Sequence, residues 1–353
     1  MNQANKKELT LLEDDKSTGI ILVWPSVYEN EFFWSGLLRI YYELIVTCLE
    51  SNKSIFLIIK KGRDINNDLK FINRNIDQLV QDKASLFQIF EAEYDDIWIR
   101  DHGPQTLIEK SSGDYYFSTS RFNGYGNKYY CENDKKLSLE LTKKFRKFDN
   151  PYKQTIFEIF NNIIIEPGNI TFNNNLYIIN KSPLVAHNKL NWTAINEILK
   201  ECIEDSLGSE YKIINMKPIS GDDTNGHIDN LIRLESSNYL YYMATNDSGH
   251  PDFALLKDLK EQIMNIDLKN KKIIPLYHDR RDIVRGPNNN ILPFSYLNYI
   301  RIGNLIIMPA NKNTTIEKKN KIRENFEYAE VVFIDSSELL NEKGGLHCCT
   351  MNI

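Results

Sequence analysis

The sequence predicts an α/β fold, and three observations carry that prediction. Short runs of β-branched and aromatic residues alternate with helical patterns from about residue 19 onward. Four polar, glycine-bearing clusters punctuate the alternation: DDIWIRDHGP (95–104), IIIEPGNITF (163–172), GDDTNGHIDN (221–230) and GGLHCCT (344–350). No Pro-, Gly- or Ser-rich linker divides the chain, so 19–353 is expected to form one α/β domain behind a flexible polar tail at 1–18.

The strand-like runs are GIILVW (19–24), SIFLII (54–59), SLFQIF (85–90), NIIIE (162–166), LYIIN (176–180), YLYYMA (239–244), KIIPLY (272–277), YIRIGNLIIMPA (299–310) and EVVFID (330–335). Each is short and rich in Ile, Val, Phe or Tyr, side chains that pack well on a pleated surface. Between them, apolar residues recur at helical spacing over 32–50, 67–81, 136–147, 190–206, 253–265 and 315–327. Each polar cluster follows or interrupts a strand-like run, which makes it a strand-end loop, where α/β folds place their chemistry.

Composition narrows the function classes. The 353 residues carry 42% hydrophobic and 26% charged side chains, the balance of a soluble globular protein. A net charge of −5 with scattered Lys and Arg offers no field for a nucleic-acid backbone. The polar, partly acidic start lacks the pattern of a secretory signal, and the most apolar long segment, FFWSGLLRIYYELIVTCLE, is interrupted by Arg39 and Glu43. The expectation is a cytoplasmic protein with no membrane partner.

Five cysteines at 48, 131, 202, 348 and 349 fit neither a disulfide framework nor a zinc pattern. Cys48 and Cys202 fall in helical patterns and read as core residues. Cys348 and Cys349 have polar company, and a thiol is the side chain most readily activated as a nucleophile near neutral pH. His227 is a candidate acid and base, with Asp229 to orient it. A Cys-His-Asp set alone would also suit a thiol protease or an acyl transferase. The surplus of acids decides between them: Asp96, Asp101, Glu166 and Asp223 lie in these clusters with only Arg100 as an obvious cationic partner. Carboxylates converging on one pocket require a cation, and a planar guanidinium with paired N–H donors suits them.

These clusters resemble the motifs of the agmatine deiminases and the related bacterial peptidyl-arginine deiminases. Residues 95–104 are similar to W-x-R-D-x-G-P, 166–170 to E-G-G-x-[IL], 223–229 to D-T-[DN]-G-H-[IV]-D, and 344–348 to G-G-x-[IL]-H-C. The lesser segments VWPS (23–26), FNGYGN (122–127) and SYLNYI (295–300) follow in the family's order. The resemblance implies a five-bladed α/β propeller, the pentein fold, with its active site in a central channel. It implies Cys348 as nucleophile, His227 as general acid and then base with help from Asp229, and Asp101 and Glu166 as the grip on the guanidinium. Asp96, Trp98 and Asp223 would shape the pocket for the substrate's tail. No cofactor and no metal is implied, and the partners are a small cationic guanidine and a second copy of the chain, as a homodimer or larger homo-oligomer.

Three departures stand out: Pro167 replaces the first glycine after Glu166, Tyr125 stands where the family has tryptophan, and the final loop is one residue shorter. They bear on the substrate, with agmatine first, peptidyl-arginine or another small guanidine second, and a non-catalytic guanidinium binder third. Three duller readings accompany these. The acids of 95–101 could be solvated loop residues, and 221–230 could be an Asx-rich turn. Asp222, Asp223, His227 and Asp229 could hold a divalent ion, although the stretch lacks a calcium-loop spacing. His102 and His347 read as positional neighbours.

Overall fold

The computed structural model describes residues 8–25, 31–145, 152–173, 175–235, 238–268 and 271–353. Five sheets recur with one pattern of pairing, an antiparallel pair extended by a parallel strand. In the first, Gly19–Val23 lies between Thr350–Asn352 (antiparallel) and Ser54–Ile59 (parallel), with Phe87–Glu91 beyond. In the second, Tyr115–Ser118 lies between Gln105–Glu109 and Tyr152–Phe157. The third centres on Leu176–Asn180, between Ile170–Asn173 and Glu210–Ile214. Tyr239–Ala244 lies between Ile232–Glu235 and Lys272–Tyr277 in the fourth. Leu305–Ala310 lies between Ile300–Ile302 and Glu330–Asp335 in the fifth. A two-stranded ribbon, Val284–Arg285 with Ile291–Leu292, stands apart.

The parallel step in each sheet requires a crossover, and helices supply it. Helix Glu31–Glu50 links Gly19–Val23 to Ser54–Ile59 and buries Trp34, Leu37, Leu38, Tyr41, Leu44, Ile45 and Cys48 against them. It is the described helix long and apolar enough to cross a membrane, yet its apolar face is core. Each fully buried Leu or Ile contributes about 1.5–3 kcal/mol, so such faces outweigh the cost of ordering the crossover. The central strands are buried along their whole length, as in Leu176–Asn180 and Leu305–Ala310. That burial is why they read as continuous apolar runs instead of alternating ones.

Several expectations are corrected. Within the expected tail, Leu9–Leu11 forms a strand at the edge of the second sheet opposite Leu107–Glu109, with Leu9 and Leu11 buried, and residues 1–7 lie outside the described residues. NIIIE is not a strand; Ile164 makes an isolated bridge to Arg121, while the Asn188 side chain takes both its backbone N–H and its carbonyl. The run 67–81 is two short helices, Ile65–Phe71 and Asp77–Asp82, parted at Asn73, whose φ is +55°. YIRIGNLIIMPA is a hairpin turning at Gly303. The other predicted strands and helices form within a few residues of their expected bounds, although 146–147 of one helix and Ser26 of VWPS lie outside the described residues.

The chain's last strand, Thr350–Asn352, closes onto its first long one, Gly19–Val23. The polar clusters take equivalent places in the five sheets: each immediately precedes the antiparallel strand that opens its sheet. Asp101 precedes Gln105–Glu109, Glu166 precedes Ile170–Asn173, His227 and Asp229 precede Ile232–Glu235, and Cys348 precedes Thr350–Asn352. A fifth such position, before Ile300–Ile302, is held by Asn298.

Candidate active site

Cys348 is buried except for 7% of its surface, and its Sγ lines a cavity of about 330 Å³ together with Asp95, Asp96, Trp98, Asp101 and Asp223. Cys349 is fully buried; its Sγ turns to the Leu346 carbonyl and joins the apolar core around Gly19–Val23 and Glu31–Glu50. In the turn that precedes Thr350–Asn352, the two neighbouring thiols thus enter different surroundings. Only Cys348 faces the carboxylates.

Asp229 Oδ2 lies 3.6 Å from Cys348 Sγ and 2.8 Å from His347 Nδ1. Asn298 Nδ2 donates to the same sulfur at 3.3 Å, and the Asn298 backbone and side-chain oxygens both accept from His347 N. Asp101 Oδ1 accepts from Gly168 N at 3.0 Å and Oδ2 from the Tyr125 hydroxyl at 2.9 Å. Gly168 is required here: a Cβ on it would stand 2.6 Å from Asp101 Oδ1 and 2.8 Å from His227 Nδ1. Gly344 is required for the same reason, since a Cβ there would strike the Trp98 ring at 2.4 Å.

His227 is fully buried between Asp101, 3.6 Å from its Nδ1, and Glu166, 3.8 Å from its Nε2. Neither contact is a hydrogen bond, and among the described residues both ring nitrogens, Glu166 Oε2 and Asp229 Oδ1 have no hydrogen-bond partner. Buried polar atoms left unpaired are costly, and such a group of them marks a site waiting for a ligand. The arrangement exchanges two expected roles. Asp229 does not touch His227 but stands beside the sulfur, whereas Glu166, expected at the guanidinium, sits beneath His227 and bonds His187 Nδ1 at 2.9 Å.

Electrostatics follow the same division. Burial would push the His227 imidazole down, but Asp101, Glu166 and Asp229 hold it up at about 10. Burial pushes Asp229 up to about 7, against the pull of His227. Burial also raises Asp101, again opposed by His227. Burial would raise Glu166 as well, yet bonds to His187 and contact with His227 bring it to about 2. Burial, with Asp229 and Asp101 adding to it, drives the Cys348 thiol well above its usual range. A cation arriving among Asp101, Asp229 and the sulfur reverses that penalty, because it stabilises carboxylates and thiolate together.

The remaining candidates lie around the mouth. Asp96 Oδ1 accepts from Trp98 N and faces His102 Nε2 at 3.0 Å, and Asp223 is held by Lys128 and the Tyr129 hydroxyl. His102 and His347 are thus partners of site acids and more than neighbours. The set of described residues with metal-ligand spacing is Asp96, His102 and Asp134, not the stretch 222–229. Pro167 opens the short 3₁₀ turn Pro167–Asn169, where its missing N–H costs nothing, and sets Glu166 in the extended backbone that precedes a proline. Tyr125, at φ +56°, replaces bulk with a hydroxyl aimed at Asp101.

Sequence reasoning missed two residues. Asn298 sits in SYLNYI, a segment noted without a role; its place before an opening strand is visible only once the five sheets are seen to recur. His187 ends the helix Lys181–His187 in a stretch with no polar cluster to flag it.

A family model described as Porphyromonas-type peptidyl-arginine deiminase matches residues 10–353. The chain belongs to this family. Membership makes it an enzyme of the class that hydrolyses carbon–nitrogen bonds in linear amidines. A Listeria monocytogenes protein provisionally named agmatine deiminase 1 is 21% identical over 97% of this chain and 94% of its own length. The solved structure of a C. jejuni agmatine deiminase variant with substrate bound superposes with a TM-score of 0.78 at 21% identity, covering 100% of this chain and 98% of that one. A dimethylarginine dimethylaminohydrolase from Pseudomonas aeruginosa shares the fold more distantly, with a TM-score of 0.51 at 13% identity over 96% and 99% of the two chains. These likenesses establish the mixed α/β fold of agmatine deiminases and their pentein relatives.

Proposed function

We propose that this family member is a cytoplasmic deiminase of agmatine, yielding N-carbamoylputrescine and ammonia, and that its five sheets are the blades of a five-bladed propeller around the cavity. The observation that carries the reading is the convergence of segments opening all five sheets on one sulfur: Cys348 with Asp101, Asp229 and Asn298 around it and Glu166 and His227 beside them. A cationic tail fits the walls, which carry Asp95, Asp96, Asp223 and Glu342 against a single Lys343. The arginines that could have received the α-carboxylate of free arginine do not line the cavity: Arg100, Arg233 and Arg301 are buried and engaged elsewhere, and Arg121 is exposed.

Asp101 and Asp229 receive the guanidinium N–H groups, and the thiol proton leaves to water as the cation takes over their charge. The Cys348 thiolate adds to the guanidinium carbon. His227, a cation at neutral pH, gives its proton to the departing nitrogen, which leaves as ammonia, and an S-alkyl thiouronium remains on Cys348. Neutral His227 then takes a proton from water, hydroxide adds to the same carbon, and collapse expels the thiolate while the hydroxyl proton passes to the sulfur, restoring the thiol and releasing the neutral ureido product. Glu166 serves as the fixed counter-charge of His227. General acid–base assistance of this kind contributes about 10²–10⁴-fold.

The test is ureido-product formation from agmatine, free arginine and a blocked arginine peptide, side by side. Agmatine is expected to be preferred. Turnover of the peptide alone would overturn the choice of substrate, and binding without turnover of any guanidine would overturn the enzymatic reading.

A further inference from the structure

We propose that His187 is a positioning residue of this site: an imidazole carrying its proton on Nδ1, locked in that tautomer by Asn225, which turns one oxygen of Glu166 away and leaves the other for His227. The inference rests on the reading of Glu166 and His227 as the acid–base pair. His187 Nδ1 lies 2.9 Å from Glu166 Oε1, and its Nε2 lies 2.9 Å from Asn225 Nδ2. An amide nitrogen can only donate, so Nε2 must present its lone pair, and the ring proton must sit on Nδ1, where it donates to the carboxylate.

The ring has little freedom to do otherwise. The His187 and Glu166 side chains are each 1% exposed, so water does not substitute for either partner. Three segments face the ring: Glu166 before its turn, Asn225 in the 221–230 loop, and Tyr125, whose ring stands edge-on at 6.3 Å. A Cβ on Gly126 would come within 3.2 Å of the imidazole, and Asn123 Nδ2 holds the His187 carbonyl at 3.0 Å. With Oε1 engaged, Oε2 has no hydrogen bond and lies 3.8 Å from His227 Nε2.

The consequence appears in the second half of the reaction. Once His227 has lost its proton to ammonia, it must recover one from water, and Glu166 must stay charged to favour that. Burial opposes the charge, and the His187 bond is the largest influence holding the Glu166 carboxyl down at about 2. His187 thus sets the proton balance of a residue it never touches.

Long-range ¹H–¹⁵N NMR on histidine-labelled protein reads this directly, since the chain has six histidines and the His187 signals are those lost in His187→Gln. Nδ1 protonated and Nε2 bare, in the unmodified chain near pH 7, is the expected result. Asn225→Asp, which offers Nε2 an acceptor, should leave both nitrogens protonated. In steady state, His187→Leu should lower kcat by roughly 10–100-fold, the scale seen for partners that orient a ligating histidine, with KM changed less than about twofold. A new acid limb should appear in its pH profile as Glu166 begins to protonate, and His187→Gln, whose amide can still donate, should recover most of the loss. Both nitrogens protonated, or a bare Nδ1, in the unmodified chain would overturn the proposal, as would an unchanged kcat and pH profile in His187→Leu. The spectrum needs no turnover, so failure of the deiminase reading leaves this result independent.

Discussion

Two groups of buried charge lie on either side of the His347–Cys348 segment, and they handle burial in opposite ways. On one side Arg233 pairs with Asp14, Arg301 with Glu235, and Arg100 donates to Asn352. Each guanidinium has an oxygen partner supplied by the chain. On the other side Asp101 lines the cavity with Glu166 and Asp229 behind it, and among the described residues none of the three pairs directly with an arginine or lysine; His227 stands between Asp101 and Glu166. In the first group the guanidiniums are all engaged by the chain itself. In the second, unpaired atoms remain on Glu166, His227 and Asp229, and a positive ligand is what would complete it.

Breaking the open side should abolish chemistry, and breaking the closed side should cost stability. The largest contrast lies between adjacent residues: Cys348→Ala should remove ureido-product formation from agmatine below detection, while Cys349→Ala should retain turnover and lose about 1–3 kcal/mol of stability in denaturant unfolding, as a small buried side chain does. His227→Ala should reduce kcat by roughly 10²–10⁴-fold. Asp101→Asn and Asp229→Asn should each cost ~2–5 kcal/mol in kcat/KM by steady-state assay, because each removes one carboxylate from a buried pair with the substrate cation. Asp229→Asn should also speed alkylation of Cys348 at pH 8, since one of the charges raising the thiol is gone.

On the closed side, Arg301→Gln leaves Glu235 buried with the Tyr299 hydroxyl but without its counter-charge and should cost about 3–5 kcal/mol in unfolding free energy. KM for agmatine should not move. The finest test is pH. Substrate capture requires Asp229 ionised and His227 protonated, so kcat/KM should climb as pH rises through about 7 and decline as pH rises through about 10. A flat profile between those values and a limb only near pH 4 would place Asp229 outside the site.

Much of the site was legible because its residues are concentrated in four short polar clusters beside apolar strand-like runs. Asp101, Glu166, His227, Asp229 and Cys348 could each be named from residue type and company. Their division of labour could not, because a carboxylate's role depends on which atom it faces. Glu166 and Asp229 exchange places for that reason: one is turned to two imidazoles, the other to a sulfur. Asn298 stands in SYLNYI, a segment marked by its resemblance but with no residue in it given a role, and no local signal announced His187.

The fivefold recurrence of the sheets was equally hidden, since crossovers range from the long helix Glu31–Glu50 to short helices and turns of unlike sequence. By itself the chain determined its alternation of strands and helices, its apolar core and its inventory of acids, with one loop carrying two adjacent thiols and one histidine set among carboxylates. Those are properties of side-chain chemistry and near-neighbour spacing. Only the tertiary structure decided that Cys348 and not Cys349 faces the acids, that His227 rests on Glu166, and that the arginines are spent elsewhere. These outcomes depend on the directions side chains take when five distant strand beginnings are brought together, and direction is a property of the packed backbone.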